Sequence, residues 1–152
     1  MSLLSAARDI INASSPLSWL VVSGQPTCEQ FTALHAAGVQ TVIDIRDPME
    51  PREVDEPRVV SELGMKYVNA PVASGALSDA AMEQVLGALR AARNTPTLLH
   101  CNSANRTGGP LIAYLMLDEG LDQQAAIEIA MHAGLRSVEL MEWATEYARG
   151  KR

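Results

Sequence analysis

The amino-acid sequence predicts one α/β domain over residues 1–152, with a central, mainly parallel sheet of about four to five strands flanked by helices and a helical C-terminal third. Apolar runs of strand length alternate with segments of helical periodicity through the first two thirds of the chain. No internal repeat or interdomain linker divides the sequence. The composition, 47% hydrophobic and 20% charged, is typical of a globular protein that buries a substantial core.

Four short apolar runs predict strands: Trp19–Ser23, Thr41–Ile45, Tyr67–Ala70 and Thr97–Cys101. The second and fourth runs consist almost entirely of β-branched or aliphatic residues, which is typical of central strands buried on both faces. Helical segments separate the runs, and this alternation predicts parallel pairing because a parallel connection has to cross back over the sheet.

Six segments predict helices. Thr27 and Gln30 form a capping box at the start of the first segment, and Gly38 follows its end. The segment from Arg106 to Leu117 carries apolar residues on all sides, which predicts a buried helix. The other four segments are about Pro57–Gly64, a segment that starts after Ser78, Asp122–His132, and a final amphipathic stretch over residues 140–148.

Charge and hydropathy exclude several classes of protein. The net charge is −6, the pI is near 5.0 and no basic stripe is present, so we expect no nucleic-acid partner. No run approaches the roughly 20 apolar residues of a membrane span, and Arg8 and Asp9 interrupt the N-terminal apolar run, so we expect neither a membrane partner nor a signal peptide. The two cysteines form no disulfide framework and no metal-spaced cluster, so we expect a cytoplasmic protein without a metal site.

The stretch HCNSANRTGG, residues 100–109, joins a predicted central strand to the predicted buried helix. Ligands of open α/β sheets bind at such carboxyl strand ends. Successive amides of the turn and the start of the helix favour an anion, and they also favour the thiolate form of Cys101. Arg106 offers a planar fork for two oxyanion oxygens, and Thr107 offers a hydroxyl donor to the thiolate or to a leaving group. His100 is expected to orient the loop through a ring N–H.

This loop resembles the signature of cysteine-dependent protein tyrosine and dual-specificity phosphatases, which is His-Cys, five residues, and Arg-Ser/Thr-Gly. The segment SGQPTCEQFTALHAAGVQTVIDIR resembles the opening of a bacterial branch of that superfamily. That branch includes the DUF442-type phosphatases and the phosphatase-like domain of β-lactamase-hydrolase-like proteins. The segment LGMKYVNAPV is similar to the next strand of the branch, so the resemblance covers about residues 17–120.

The resemblance implies a metal-independent and cofactor-independent hydrolase of phosphate monoesters, whose phosphorylated substrate the sequence does not identify. Cys101 would be the nucleophile and would form a thiophosphate intermediate. Arg106 would bind the phosphoryl oxygens, and Thr107 would assist release by stabilising the thiolate. The phosphate would lie against the backbone N–H groups of five residues: Asn102, Ser103, Ala104, Asn105 and Arg106.

The chain departs from that signature in the length of the loop. Cys101 and Arg106 enclose four residues instead of five, which predicts a smaller anion cradle. A four-residue spacer also resembles the loop of rhodanese-type sulfurtransferases, so a persulfide on Cys101 is an alternative. A non-catalytic domain that binds phosphorylated ligands is a further alternative. Ala104 stands where glycine is common, and it would be strained if that position has a positive φ.

The second departure concerns the general acid. Family phosphatases place an Asp in the loop that here reads PVASGALS, residues 71–78, which contains no acid. Asp79 follows, although Ser78 is typical of an N-cap and Asp79 of a first helical turn. The acidic segment 44–58 is typical of a solvated loop. It follows the carboxyl end of a predicted strand, however, so one of its acids could reach the pocket. The further candidates for the acid are therefore Asp47, Glu50, Glu53 and Glu56. Cys28, at the start of the first helix, is a candidate redox partner of Cys101.

Overall fold

The computed structural model describes residues 2–73 and 75–152. A five-stranded sheet forms its centre, and the strands are β1 (Ser14–Leu17), β2 (Leu20–Ser23), β3 (Thr41–Asp44), β4 (Lys66–Asn69) and β5 (Thr97–His100). Their order in the sheet is β1-β2-β5-β3-β4, and only the pairing of β1 with β2 is antiparallel in the part described. The predicted α/β class and mainly parallel sheet are confirmed.

Strand β1 is the strand that sequence analysis did not locate. Its sequence, SSPL, is too short and too polar to show a strand periodicity. Pro16 lacks an N–H donor, and proline is tolerated at a sheet edge, where one side of the strand needs no partner. The edge position of β1 therefore explains both its unusual composition and why the sequence does not reveal it.

Within residues 2–73 and 75–152, seven helices surround the sheet: α1 (Leu3–Ala7), α2 (Cys28–Ala36), α3 (Glu56–Glu62), α4 (Asp79–Ala91), α5 (Gly108–Leu117), α6 (Gln123–His132) and α7 (Val138–Lys151). The last six are the predicted ones, whereas α1 has only five residues and was not predicted. Helix α5 begins two residues later than expected, because Arg106 and Thr107 belong to the turn before it. None of the described helices has the length and apolar character needed to cross a membrane.

Local capping sets most of these helix starts. The predicted capping box is present: Thr27 Oγ1 accepts from the Gln30 amide, and the Gln30 side chain accepts from the Thr27 amide. Ser78 Oγ accepts from the amide of Ala81 at the start of α4. Side-chain oxygens at these positions satisfy amides that have no partner within the helix.

Apolar side chains cover both faces of the sheet. In β2, Val21 belongs to a cluster formed with α1, α2 and α3, whereas its neighbour Val22 belongs to a larger cluster formed with α4, α5, α6 and α7. Leu98 and Leu99 of β5 divide in the same way. Alternate side chains of a strand point to opposite faces, so central strands covered on both sides need near-continuous apolar runs. This arrangement leaves the carboxyl edge of the sheet as the place for polar loops.

Candidate active site

The loop between β5 and α5 lies at the carboxyl edge of the sheet, next to the end of β2. The amide of Cys101 donates to the carbonyl of Ser23 at 3.3 Å, and the amide of Gln25 donates to the carbonyl of Asn102 at 3.0 Å. The side-chain amide of Asn12 donates to the carbonyl of Ser103 at 2.8 Å. Neighbouring segments therefore hold the loop through the amide of Cys101 and the carbonyl groups of Asn102 and Ser103.

The amides of this loop remain available. Among the described residues, the N–H groups of Asn102, Ser103, Asn105 and Arg106 donate to no acceptor. They precede the N-terminus of α5, whose partial positive charge adds to theirs. Cys101 is 1% exposed at the base of the loop. The predicted cradle is thus a run of free donors around a cysteine, which is the arrangement that binds an oxyanion.

Ala104 has φ of 72°, so the suspected left-handed conformation is present at a residue that carries a Cβ. The side chain is fully buried against the turn between α6 and α7. A Cβ built on Gly134 of that turn would lie 3.0 Å from both the Cβ and the carbonyl oxygen of Ala104. The missing side chain of Gly134 therefore makes room for Ala104, and the turn supports the loop from below.

Thr107 and Asn105 stabilise the shape of the loop. The Thr107 hydroxyl is buried and donates to the carbonyl of Ala104 at 2.9 Å, so its single hydrogen is committed within the loop in this conformation. Donation to the Cys101 thiolate, as expected from the resemblance, requires this hydroxyl to rotate. Asn105 Oδ1 accepts from the amides of Arg136 at 2.7 Å and Ser137 at 3.2 Å, which ties the loop to the start of α7.

Arg106 forms a two-pronged pair with Glu50. Nη1 donates to Oε2 at 2.6 Å and Nη2 donates to Oε1 at 2.8 Å, while Nη1 also donates to the carbonyl of Val72 at 3.2 Å. Among the described residues, Nε and one Nη2 hydrogen of Arg106 have no acceptor, so they are left for a ligand. The hydrogen bonds from Arg106 lower the pKa of Glu50 to about 2, so this carboxyl is ionised near neutral pH. Glu50 is therefore suited to orient Arg106 and unsuited to donate a proton.

The other candidate acids lie in different places. Asp47 lines a cavity of about 410 Å³ together with Glu50, Arg106 and loop residues Asn102, Ser103 and Asn105. Glu53 lines a neighbouring cavity of about 660 Å³, which meets the first at Asn102 and Ser103. Asp79 begins α4 and lines a cavity formed with residues of α7. Of these acids, Asp47 and Glu50 are the ones that share a cavity with Arg106. Residue 74, in the segment without an acid, lies outside the described residues.

Glu56, the remaining candidate acid, lies beneath the loop and contacts His100. His100 Nε2 is 2.5 Å from Glu56 Oε2, and His100 Nδ1 is 3.2 Å from the carbonyl oxygen of Cys101. Both side chains are buried. The expectation that segment 44–58 is solvated is wrong at Asp44, Arg46 and Glu56, which are all buried. The side chains of Arg46 and Glu56 both form hydrogen bonds with the side chain of Gln25, and Asp44 accepts from Arg52.

Asp44 is the buried carboxylate that sequence analysis did not single out. It ends β3 and accepts from Arg52 Nη1 at 2.6 Å, from the Tyr67 hydroxyl at 2.8 Å and from the amide of Arg46 at 2.9 Å. Burial by itself raises the pKa of Asp44, but the charge of His100 and the bond from Arg52 hold the pKa below its ordinary value. An acidic residue within the apolar run TVIDI is the one sequence signal for this site.

Comparison with known proteins identifies a relative of this chain. The dual specificity protein phosphatase TpbA of Pseudomonas aeruginosa PAO1 is 30% identical to this chain over 131 residues, which cover 84% of this chain and 57% of TpbA. The chain thus spans little more than half the length of that relative. A crystal structure of TpbA has a TM-score of 0.69 at 30% identity and covers 92% of this chain and 84% of the other. No family model matches the sequence.

Fold similarity extends further. A DUF442 protein from Shewanella putrefaciens CN-32 has a TM-score of 0.82 at 22% identity over 97% of both chains. The core catalytic domain of SIW14 from S. cerevisiae has a TM-score of 0.76 at 18% identity. The His-Cys…Arg-Thr-Gly loop, the sheet that supports it and the relationship to TpbA point to one conclusion. The chain belongs to the family of cysteine-dependent dual-specificity phosphatases.

Proposed function

We propose that this chain is a cysteine-dependent phosphatase that hydrolyses phosphate monoesters. The observation that carries the proposal is the set of loop amides around Cys101 next to the Nε edge of Arg106, all without an acceptor among the described residues. Neutral amides and one guanidinium bind a phosphate dianion without a metal, and they bind it more strongly as charge develops in the transition state. Membership of the TpbA family supports the same chemistry.

The reaction would proceed in two steps. The Cys101 thiolate attacks phosphorus, the bond between phosphorus and the ester oxygen breaks, and the leaving alcohol takes a proton. Water then attacks the thiophosphate, the sulfur–phosphorus bond breaks, and inorganic phosphate and the thiolate are released. Arg106, held by Glu50 through one edge, would use the Nε edge to bind two phosphoryl oxygens in both steps.

Asp47 is our candidate for the general acid. It lines the same cavity as Arg106, and Oδ1 accepts from the amide of Met49 at 2.8 Å. Oδ2 accepts no hydrogen bond from the described residues, so it is the oxygen that would carry the proton to the leaving group. Glu50 is ionised and committed to Arg106, which leaves Asp47 as the acid best placed for transfer.

An aryl phosphate such as phosphotyrosine is the substrate class we propose, because TpbA has been crystallised in complex with pTyr. The test is the hydrolysis of p-nitrophenyl phosphate and of a phosphotyrosine peptide. Cys101→Ser should abolish turnover, whereas Cys28→Ser, a change at an exposed cysteine on α2, should leave it unchanged. Wild-type protein without Cys101-dependent turnover would refute the proposal.

Two further measurements test the general acid and the sulfurtransferase alternative. Asp47→Asn should slow the hydrolysis of phenyl phosphate about 100-fold, with a much smaller effect on p-nitrophenyl phosphate, whose leaving group needs no proton. Equal effects on both substrates would remove Asp47 from the acid role.

Mass spectrometry after exposure to thiosulfate should show an unmodified Cys101; an added sulfur atom would instead indicate a sulfurtransferase.

A further inference from the structure

The buried contact between Glu56 and His100 raises a question of proton count. Both ring nitrogens of His100 face acceptors: Nε2 faces Glu56 Oε2 at 2.5 Å, and Nδ1 faces the carbonyl oxygen of Cys101 at 3.2 Å. A carbonyl oxygen carries no hydrogen, so Nδ1 has to hold one for this contact to be favourable. A neutral imidazole has a single N–H, so the pair of His100 and Glu56 has to hold a second proton between them.

The surroundings place that second proton on the imidazole. Glu56 Oε1 accepts from the neutral side chain of Gln25 at 2.8 Å, and Asp44 Oδ1 lies 4.0 Å from the same Nε2. Asp44 is compensated by Arg52, whereas among the described residues no lysine or arginine contacts Glu56. An uncompensated buried carboxylate is costly, so a cationic His100 between two carboxylates is the favourable arrangement. The other neighbours of these groups are the Tyr67 hydroxyl on Asp44 and the ring edge of Phe31, 6.1 Å from the His100 centroid.

We propose that Glu56 is a positioning residue for the phosphatase reaction, and that it acts by keeping His100 protonated on both ring nitrogens. The Nδ1–H then donates to the carbonyl of Cys101, which turns that carbonyl toward the protein interior and keeps the following amides directed at the cradle. The imidazolium also adds a positive charge one residue from the thiolate. This inference rests on the proposed function, but its physical content is the protonation state of a buried pair.

Glu56 is also connected to the loop by a second route, through Gln25. The side chain of Gln25 connects it to Arg46, whose Nη1 donates to Gln25 Oε1 at 2.6 Å. The backbone amide of the same Gln25 donates to the loop carbonyl of Asn102. Helix α3, which begins at Glu56, therefore reaches the loop both through His100 and through Gln25.

Nitrogen-15 NMR of the histidine rings tests the proton count directly. His35→Asn and His132→Asn leave His100 as the sole histidine, and wild-type His100 should then show two protonated ring nitrogens at pH 7. Glu56→Gln should leave one protonated ring nitrogen. The neutral carboxamide can donate to an unprotonated Nε2, while Nδ1–H still donates to the carbonyl oxygen of Cys101. A single protonated nitrogen with Glu56 intact overturns the proposal, even if Glu56→Gln does not fold.

Alkylation of Cys101 by iodoacetamide, in a Cys28→Ser background, tests the effect on the nucleophile. In the pH profile of alkylation, Glu56→Gln should slow the reaction about tenfold on the acidic side, because the positive charge beside the thiolate is lost. Glu56→Asp, which keeps the charge, should restore part of the difference. Glu62→Gln removes an exposed carboxylate from the same helix and should leave the profile unchanged.

These readouts separate the two proposals. If wild-type protein shows no phosphatase turnover but the NMR and alkylation results hold, the proposed function fails and the role of Glu56 stands. If turnover is normal and the Glu56→Gln profile coincides with that of the wild type, the role of Glu56 is refuted and the proposed function stands. In an active enzyme, Glu56→Gln should also lower kcat about tenfold while KM changes less than about threefold, since Glu56 is only 1% exposed and acts through His100.

Discussion

Gly134→Ala tests whether the turn between α6 and α7 supports the catalytic loop. The added Cβ would lie 3.0 Å from both the Cβ and the carbonyl oxygen of Ala104, on a residue with φ of 118°. A positive φ costs an L-residue about 1–2 kcal/mol, and overpacking costs about 1–3 kcal/mol. Reduced entropy of the unfolded chain returns up to about 1 kcal/mol. We therefore expect the free energy of unfolding to fall by about 2–4 kcal/mol.

Urea unfolding at 25 °C measures this change, and Gly87→Ala is the matched control. Gly87 lies exposed in α4 with nothing within 4 Å of an added Cβ, so the same substitution should stabilise the protein by about 1 kcal/mol. Gly134→Ala should also lower kcat/KM for p-nitrophenyl phosphate at least about tenfold, because the displaced Ala104 carries the middle of the cradle.

A double variant locates the effect. Ala104→Gly removes one of the two 3.0 Å contacts, so Gly134→Ala should cost about 1 kcal/mol less in that background than in the wild type. If Gly134→Ala unfolds within 0.5 kcal/mol of the wild type and keeps full activity, the close contact between this turn and the loop does not exist in solution, and the argument fails.

Two other substitutions examine the contacts that hold the cradle. Because pairing with Arg106 lowers the pKa of Glu50 to about 2 from 4.5, the pair stabilises the folded state above about pH 4.5, and this contribution is lost as the pH falls toward 2. Glu50→Gln should thus cost about 1–2 kcal/mol at pH 6, a value reduced for the 29% exposure of the carboxylate, and thermal unfolding of the two proteins should converge near pH 2. Asn105→Ala should cost about 1–3 kcal/mol by leaving the amides of Arg136 and Ser137 without their acceptor, whereas equal stability by urea unfolding would show that water replaces Asn105.

Segment 44–58 shows where reasoning from sequence alone reaches its limit. A run of charged residues is usually solvated, and nothing in its spacing distinguishes the acid that pairs with Arg106 from the acid that contacts His100. Glu50 and Arg106 are 56 residues apart, and Glu56 and His100 are 44 residues apart. Such pairs form because β3 and β5 are neighbours in the sheet, and the sequence does not state that neighbour relation.

The fold class and the anion-binding loop, in contrast, follow from residues that are close together in the sequence. The α/β class follows from apolar runs and helix caps that lie within a few residues of one another, and the cradle follows from an ordered stretch in which Cys101, Arg106 and the α5 N-terminus are adjacent. Only the tertiary structure decided which carboxylate pairs with the arginine, which one contacts the buried histidine and which one lines the same cavity as the arginine. The physical reason is that backbone geometry is set by local sterics and capping, whereas the charge state of a carboxylate depends on partners that the fold brings from distant positions.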